Sequence, residues 1–136
     1  MDERNEGSAA EVAPISRKML WAGYIVSALP VLMLVLSGVM KLVKPAPVIE
    51  GFVRLGYSED LALGIGILEL ACTLVYVMPR TAVLGAILLT GYLGGATATH
   101  VRVGDPFLAP VLLGVLVWGG LYLRDGQLRT LVPWRK

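Results

Sequence analysis

The stretch LALGIGILELACTLVYVMPRTAVLGAILLTGYLGGATAT, residues 61–99, decides the fold. Two apolar runs, 61–78 and 81–99, meet at Pro79-Arg80, and so short a connection makes consecutive helices antiparallel neighbours. Outward from this pair the pattern repeats, with further apolar runs at 20–43 and 107–123. The four runs make up 78 of the 136 positions yet hold two of the 22 charged residues, Lys41 and Glu69. Runs of 17 to 24 residues cover roughly 25 to 36 Å at about 1.5 Å per residue, which matches a hydrocarbon core of about 30 Å.

The composition agrees with this reading. A chain that is 56% hydrophobic and 16% charged, with a mean hydropathy of +0.71, is too apolar for an ordinary soluble domain. A soluble bundle would need a polar stripe on each helix, and 84–89 and 111–117 have none. A net charge of +2 gives no argument for a nucleic-acid partner. One Cys and one His exclude an internal disulfide, a CxxC pair and a structural zinc site, and no catalytic residue set or metal site emerges. Arg17-Lys18 precedes the first run as in a signal peptide, but the run is too long and no small-x-small site closes it.

The expected fold is therefore all-α: a four-transmembrane-helix bundle, up-down-up-down, over residues 19–124. A mobile cytoplasmic tail is expected at 1–18 and a short basic one at 125–136. Ser58 before Glu59-Asp60 is the expected cap of the second helix, and Asp105-Pro106 that of the fourth. Between the first two helices, Ile49, Phe52 and Val53 repeat at helical spacing and suggest a short interfacial helix, with an irregular loop as the alternative. One side of the membrane holds eight Lys and Arg (Arg4, Arg17, Lys18, Arg80, Arg124, Arg129, Arg135, Lys136) and the other four (Lys41, Lys44, Arg54, Arg102). This places both termini in the cytoplasm of a cell (inner) membrane protein.

Glu69 needs the most explanation. An ionised carboxylate facing lipid near a helix centre costs about 2.5–3.5 kcal/mol on insertion scales, so it must be protonated, paired or turned to a polar cavity. Gly66, Glu69, Thr73 and Tyr76 form one stripe, with Cys72, a small core residue, at its margin; this stripe should face the other helices. Thr90 lies as far from the Pro79-Arg80 turn as Glu69 and is expected to hydrogen-bond it. Gly91, Gly94, Gly95 and Ala98 form a small-residue surface suited to close backbone approach. Helix directions tilt Lys41 and His100 inward from the outer side, with Arg102 and Asp105 just above His100. A polar cluster of Lys41, Glu69, Thr90 and His100 is expected in the outer half. Plainer readings exist for each: Lys41 snorkelling to headgroups, His100 capping at the interface, Glu69 as a neutral carboxyl bonding neighbouring helices.

Several strings resemble the DoxX-like family of small four-helix membrane proteins: residues 37–42 (SGVMKL), 55–57 (LGY), 66–70 (GILEL), 79–86 (PRTAVLGA) and 94–106 (GGATATHVRVGDP). The resemblance implies membrane proteins linked to quinone-coupled sulfur oxidation and oxidoreductase complexes, or, in distant eukaryotic relatives, to assembly of other membrane proteins. Lys41, Glu69 and His100 look like the family's recurring polar positions.

Three functions follow as expectations. In the first, a quinone-like or other small ligand binds among Lys41, Glu69, Thr90, His100 and Arg102 and exchanges a proton there. With no thiol pair or haem ligands, such a chain is not catalytic alone and needs a partner membrane or redox protein. The second is a non-catalytic scaffold or assembly factor docking through the glycine-rich helix; a homo-oligomer is compatible with either. The third, a small-solute transporter, is disfavoured by the charge bias. Besides the lipid bilayer no partner is specified, and no cofactor beyond a quinone is suggested.

Overall fold

A computed structural model describes residues 12–134. Residues 1–11 and 135–136, which carry Arg4, Arg135, Lys136 and most of the expected N-terminal tail, lie outside the described residues. The described chain is all-helical, without strands: α1 (Arg17–Val43), α2 (Ala46–Arg54), α3 (Leu61–Val77), α4 (Ala82–Val103), α5 (Leu108–Arg124) and α6 (Gly126–Leu131). Both α1 and α4 lie against α3 and α5, so the four long helices close a ring. Of these, α1 and α4 are long and apolar enough to cross a membrane, while α3 and α5 are apolar but have 17 residues each. The outward faces are covered by large apolar side chains, with Leu32 68% and Ile25 67% exposed. Water would penalise such a surface, and lipid would not.

The boundaries show which local signals operate. Ser16 caps α1 by accepting from the Met19 amide at 3.3 Å. At its other end Lys44 takes a left-handed conformation and Pro45 follows, so α1 stops and α2 starts at once. The short helix expected between the first two runs is present as α2, but its buried side is Phe52 alone, and Val53 is turned outward. Neither expected cap forms at the starts of α3 and α5. The N-cap of α3 is Asp60, without a side-chain bond. For α5 it is Phe107, because Asp105 is held by Arg54 instead. Helix α4 outlasts its apolar run by four residues, to Val103. Thr97, Thr99 and His100 satisfy their polar atoms on carbonyls one turn back, and Gly104, at φ 75°, stops the helix.

Neither tail is plain coil at its junction. Val12 and Ile15 pack around Gly126, and 126–131 form α6, capped by Asp125 through the Gln127 and Leu128 amides.

The end of the ring formed by the start of α1, the α3–α4 turn and the end of α5 is the tighter one. Its centre is Tyr76, fully buried, whose hydroxyl donates to the Val117 carbonyl at 2.8 Å and stands 3.1 Å from Ser27 Oγ, joining α3 to α5 and α1. Glycines allow the helices to come this close: a Cβ on Gly85 would stand 2.2 Å from the Tyr76 backbone, and one on Gly120 2.2 Å from Ser27 Oγ. By contrast a Cβ on Gly91, Gly94 or Gly95 meets nothing within 4 Å. The expected close approach through those three glycines does not occur within the chain; α4 turns Leu89 and Leu93 inward instead.

Gly85→Ala should therefore lower the thermal midpoint of the detergent-solubilised protein, at a cost of about 1–3 kcal/mol from overpacking, whereas Gly94→Ala should leave it unchanged or raise it slightly. Equal midpoints for the two variants would refute this division of the glycines.

Candidate functional site

The site begins where α1 crosses α3. A Cβ on Gly66 would stand 2.8 Å from the Lys41 Cβ and 3.0 Å from the Gly38 carbonyl, so absent side chains let the two backbones meet here. This brings Lys41 over the buried stripe of α3, Ala62, Gly66, Glu69, Cys72, Thr73 and Tyr76, the face expected from helical spacing. Lys41 Nζ lies 2.7 Å from Glu69 Oε2 and donates also to Ser37 Oγ at 2.5 Å; Ser37 donates in turn to Glu69 Oε2 at 3.3 Å. The carboxylate is 2% exposed and the lysine side chain 16%. A lysine, a serine and a carboxylate thus form a closed triangle that answers the cost of burying either charge alone.

On one side the triangle opens into a cavity of about 570 Å³ with mainly apolar walls. Ser37, Lys41 and Glu69 supply its polar wall, with Tyr92, whose phenol faces Glu69, and His100. His100 Nδ1 lies 2.7 Å from the Ala96 carbonyl. A carbonyl only accepts, so Nδ1 carries the proton, and Nε2 is the ring atom left for the cavity. Gly91 and Gly95 line the same space, so α4's glycines provide volume where the sequence suggested contact.

Phe52, Leu55 and Tyr57, from α2 and the segment after it, cover one end of the cavity. They are tied down from α4 and the turn beyond it. Tyr57 and Thr99 hydroxyls are 2.9 Å apart, Arg102 donates to the Leu55 carbonyl at 2.5 Å and stacks over the Tyr57 ring, and Arg54 pairs with Asp105 at 3.1 Å. Among the described residues no group of three or more His, Cys, Asp or Glu side chains converges as a metal site would require.

The model of the DoxX-like family matches residues 25–120, well over half of the chain and the whole of this cavity's wall. The chain belongs to the DoxX-like family. No curated protein and no solved structure matches it. Family membership and the apolar helices make it a membrane protein.

In this DoxX-like chain the expected cluster is only partly assembled. Lys41 and Glu69 are bonded, and His100 joins them on the cavity wall with its own hydrogen bond going to the Ala96 carbonyl. Thr90 is not Glu69's partner: its hydroxyl donates to the Ala86 carbonyl and accepts from the Trp118 indole at 2.8 Å, because α4 rotates Leu89 and Leu93 inward and turns Thr90 toward α5. Arg102, in the last turn of α4, fastens the covering segment and does not line the cavity. Ser37, Tyr57 and Tyr92 went unrecognised. Ser37 was findable, being one helical turn before Lys41. Tyr92 sits beside Leu93 in an apolar run and had no signal of its own.

Replacing one member of the pair should destabilise more than replacing both. Lys41→Met or Glu69→Leu alone leaves a buried charge unanswered, at a cost of about 3–5 kcal/mol, and the double variant should recover most of the loss in thermal midpoint. Additive losses would show that the two charges do not depend on each other.

Proposed function

We propose that this DoxX-like protein is a four-span membrane protein with both termini in the cytoplasm, whose outer-half cavity binds a small molecule with an apolar body and a neutral polar head, of the quinone kind. It would serve as a membrane subunit of a redox system. The observation that carries the reading is the Lys41–Glu69 pair, with Ser37, opening on an apolar cavity of about 570 Å³ that His100 and Tyr92 also line. Apolar walls with a few convergent polar groups are what small-molecule sites share. The wall fits the quinol form of such a head chemically, whose hydroxyls both accept and donate. Lys41 uses two of its three N–H donors within the triangle and keeps one, and His100 Nε2 is an acceptor in the neutral ring. A quinone bound there would supply the redox chemistry; this chain's residues would hold its head, exclude water and exchange a proton at His100 Nε2. The single buried thiol, Cys72, offers no electron relay, so electrons must come from a partner protein.

A second reading, a scaffold or assembly factor, is favoured by the surface of α4, where Gly94 and Ala98 are exposed and a Cβ on Gly94 would meet nothing. Titrating the detergent-solubilised full chain with a short-chain benzoquinol or naphthoquinol, whose hydroxyl can donate to His100 Nε2, separates the two. Saturable binding near one equivalent, weakened about tenfold by His100→Ala through loss of one hydrogen bond and unchanged by Arg80→Gln, supports the cavity reading. No binding, or equal binding by His100→Ala, leaves the scaffold.

The topology is tested separately. In a Cys72→Ser background, Ser58→Cys should react with an impermeant maleimide in intact cells, and Thr130→Cys only after permeabilisation. The reverse pattern would invert the protein in the membrane.

A further inference from the structure

At the opposite end from the Lys41 cavity, Arg124 closes α5 in an unusual setting. Its guanidinium carbon lies 5.1 Å from the Tyr76 ring centre and 5.7 Å from that of Tyr24, so two rings hold the cation. Room for it is made by Gly23, where a Cβ would stand 2.8 Å from the Arg124 Cβ and 2.9 Å from its amide nitrogen. Among the described residues none accepts a hydrogen bond from Arg124 or pairs with it. Nε is sealed from solvent without a partner, its terminal nitrogens are not among the sealed atoms, and Arg124 lines an adjoining cavity of about 350 Å³. The carboxylate next in sequence is already engaged: Asp125 Oδ1 accepts from the Gln127 and Leu128 amides at 2.9 and 3.0 Å. Arg129 is likewise occupied, by the Tyr122 and Leu123 carbonyls.

A cation held between rings, with no partner among the described residues and lining a cavity, is arranged to receive an oxyanion, and the planar guanidinium fits two phosphate oxygens side by side. The cavity's other walls decide the source. Val12, Ile15, Pro79 and Leu121 give it an apolar side, which suits the glycerol and first acyl carbons of a lipid and has no use for a free ion. We propose that Arg124, held by Tyr24 and Tyr76, binds the phosphate group of an anionic phospholipid at the inner face of the membrane. Arg124 itself lies beyond residues 25–120, while Tyr76 and Pro79 beside it lie within the matched segment. The lipid source rests on the membrane reading above, the phosphate chemistry on Arg124 alone.

The delipidated full chain in detergent is incubated with phosphatidylglycerol, diacylglycerol or inorganic phosphate, and what it retains is counted by native mass spectrometry. Wild type should keep one phosphatidylglycerol and no diacylglycerol. Arg124→Gln should weaken retention about tenfold, as for loss of a charge-assisted hydrogen bond. Tyr24→Leu, at a half-exposed position whose loss spares the fold, should weaken it in the same direction. Lys18→Gln, removing an exposed charge from the same end, should change nothing. Equal retention by Arg124→Gln, or an equal loss with Lys18→Gln, would reduce the effect to diffuse attraction and overturn the site. Protection by inorganic phosphate without lipid retention would overturn the lipid source. Binding that appears only after Asp2, Glu3, Glu6 and Glu11 are changed together to their amides would mean that the chain's own acids hold Arg124, and would also overturn it. A chain that stays in solution without detergent would instead overturn the membrane reading.

Discussion

The contact on which the rest of the structure depends is the 2.7 Å ion pair between Lys41 and Glu69. Such a pair adds little net stability, because removing two charges from water costs nearly as much as their attraction returns. What it does is forbid alternatives. Sliding α1 along α3, or turning it about its axis, would strand a carboxylate that is 2% exposed inside an apolar protein. The register of the two helices is thereby set at one level, that of Gly38 and Gly66, where a Cβ on Gly66 would stand 3.0 Å from the Gly38 carbonyl and one on Gly38 2.6 Å from the Leu70 side chain. Ser37 adds a third corner, so the carboxylate oxygen nearest the lysine also accepts from a hydroxyl.

Glycine placement then divides the molecule. Around Tyr76, Gly23, Gly85 and Gly120 each face a neighbouring helix at a distance that a methyl group would violate. Toward the other end Gly91 and Gly95 face open space and line the cavity. The same residue type therefore closes one end and hollows the other, according to whether a neighbour occupies the place of the missing side chain. A bundle pinned at Tyr76 and by the Lys41 triangle can hold open a cavity between them and α2, because the packing that gives rigidity lies elsewhere. Helix α2 needs little packing of its own: Phe52 fills the cavity's end, and Tyr57, Arg102, Arg54 and Asp105 fasten the segment to the last turn of α4 and the loop after it.

Most of the fold was legible because apolar periodicity and Pro or Gly punctuation are local. The runs at 20–43, 61–78, 81–99 and 107–123 became helices with shifts of a few residues, and the buried stripe of α3 was read residue by residue. The caps failed where a polar residue had a distant use: Asp105 looks like a cap in sequence, but Arg54, far away in the chain, claims it. The pair of Lys41 and Glu69 was legible from depth and helix direction. Thr90 was not, because depth fixes height along a helix and leaves rotation free, and the rotation of α4 is set by Leu89 and Leu93 burying themselves. For the same reason Gly91, Gly94 and Gly95 read as a contact surface. A small-residue stripe shows where a helix could be approached, and only its neighbours show whether it is.

The electrostatics of the Lys41 cavity constrain what kind of head it suits. Glu69 answers the charge of Lys41, and Arg102 and Asp105 are spent on the covering segment, so the polar wall supplies hydrogen bonds more than net charge. An anion would have to compete with Glu69 for Lys41, and a cation would have to compete with Lys41 for Glu69, each exchange leaving one buried charge unanswered. A neutral head that both accepts from the spare N–H of Lys41 and donates to His100 Nε2 disturbs neither partner. At the other end no carboxylate among the described residues neutralises Arg124, since Asp125 is held by backbone amides. The Lys41 and Arg124 cavities are thus built on opposite electrostatic terms, one with its charge cancelled inside the protein and one with a charge that no described residue answers.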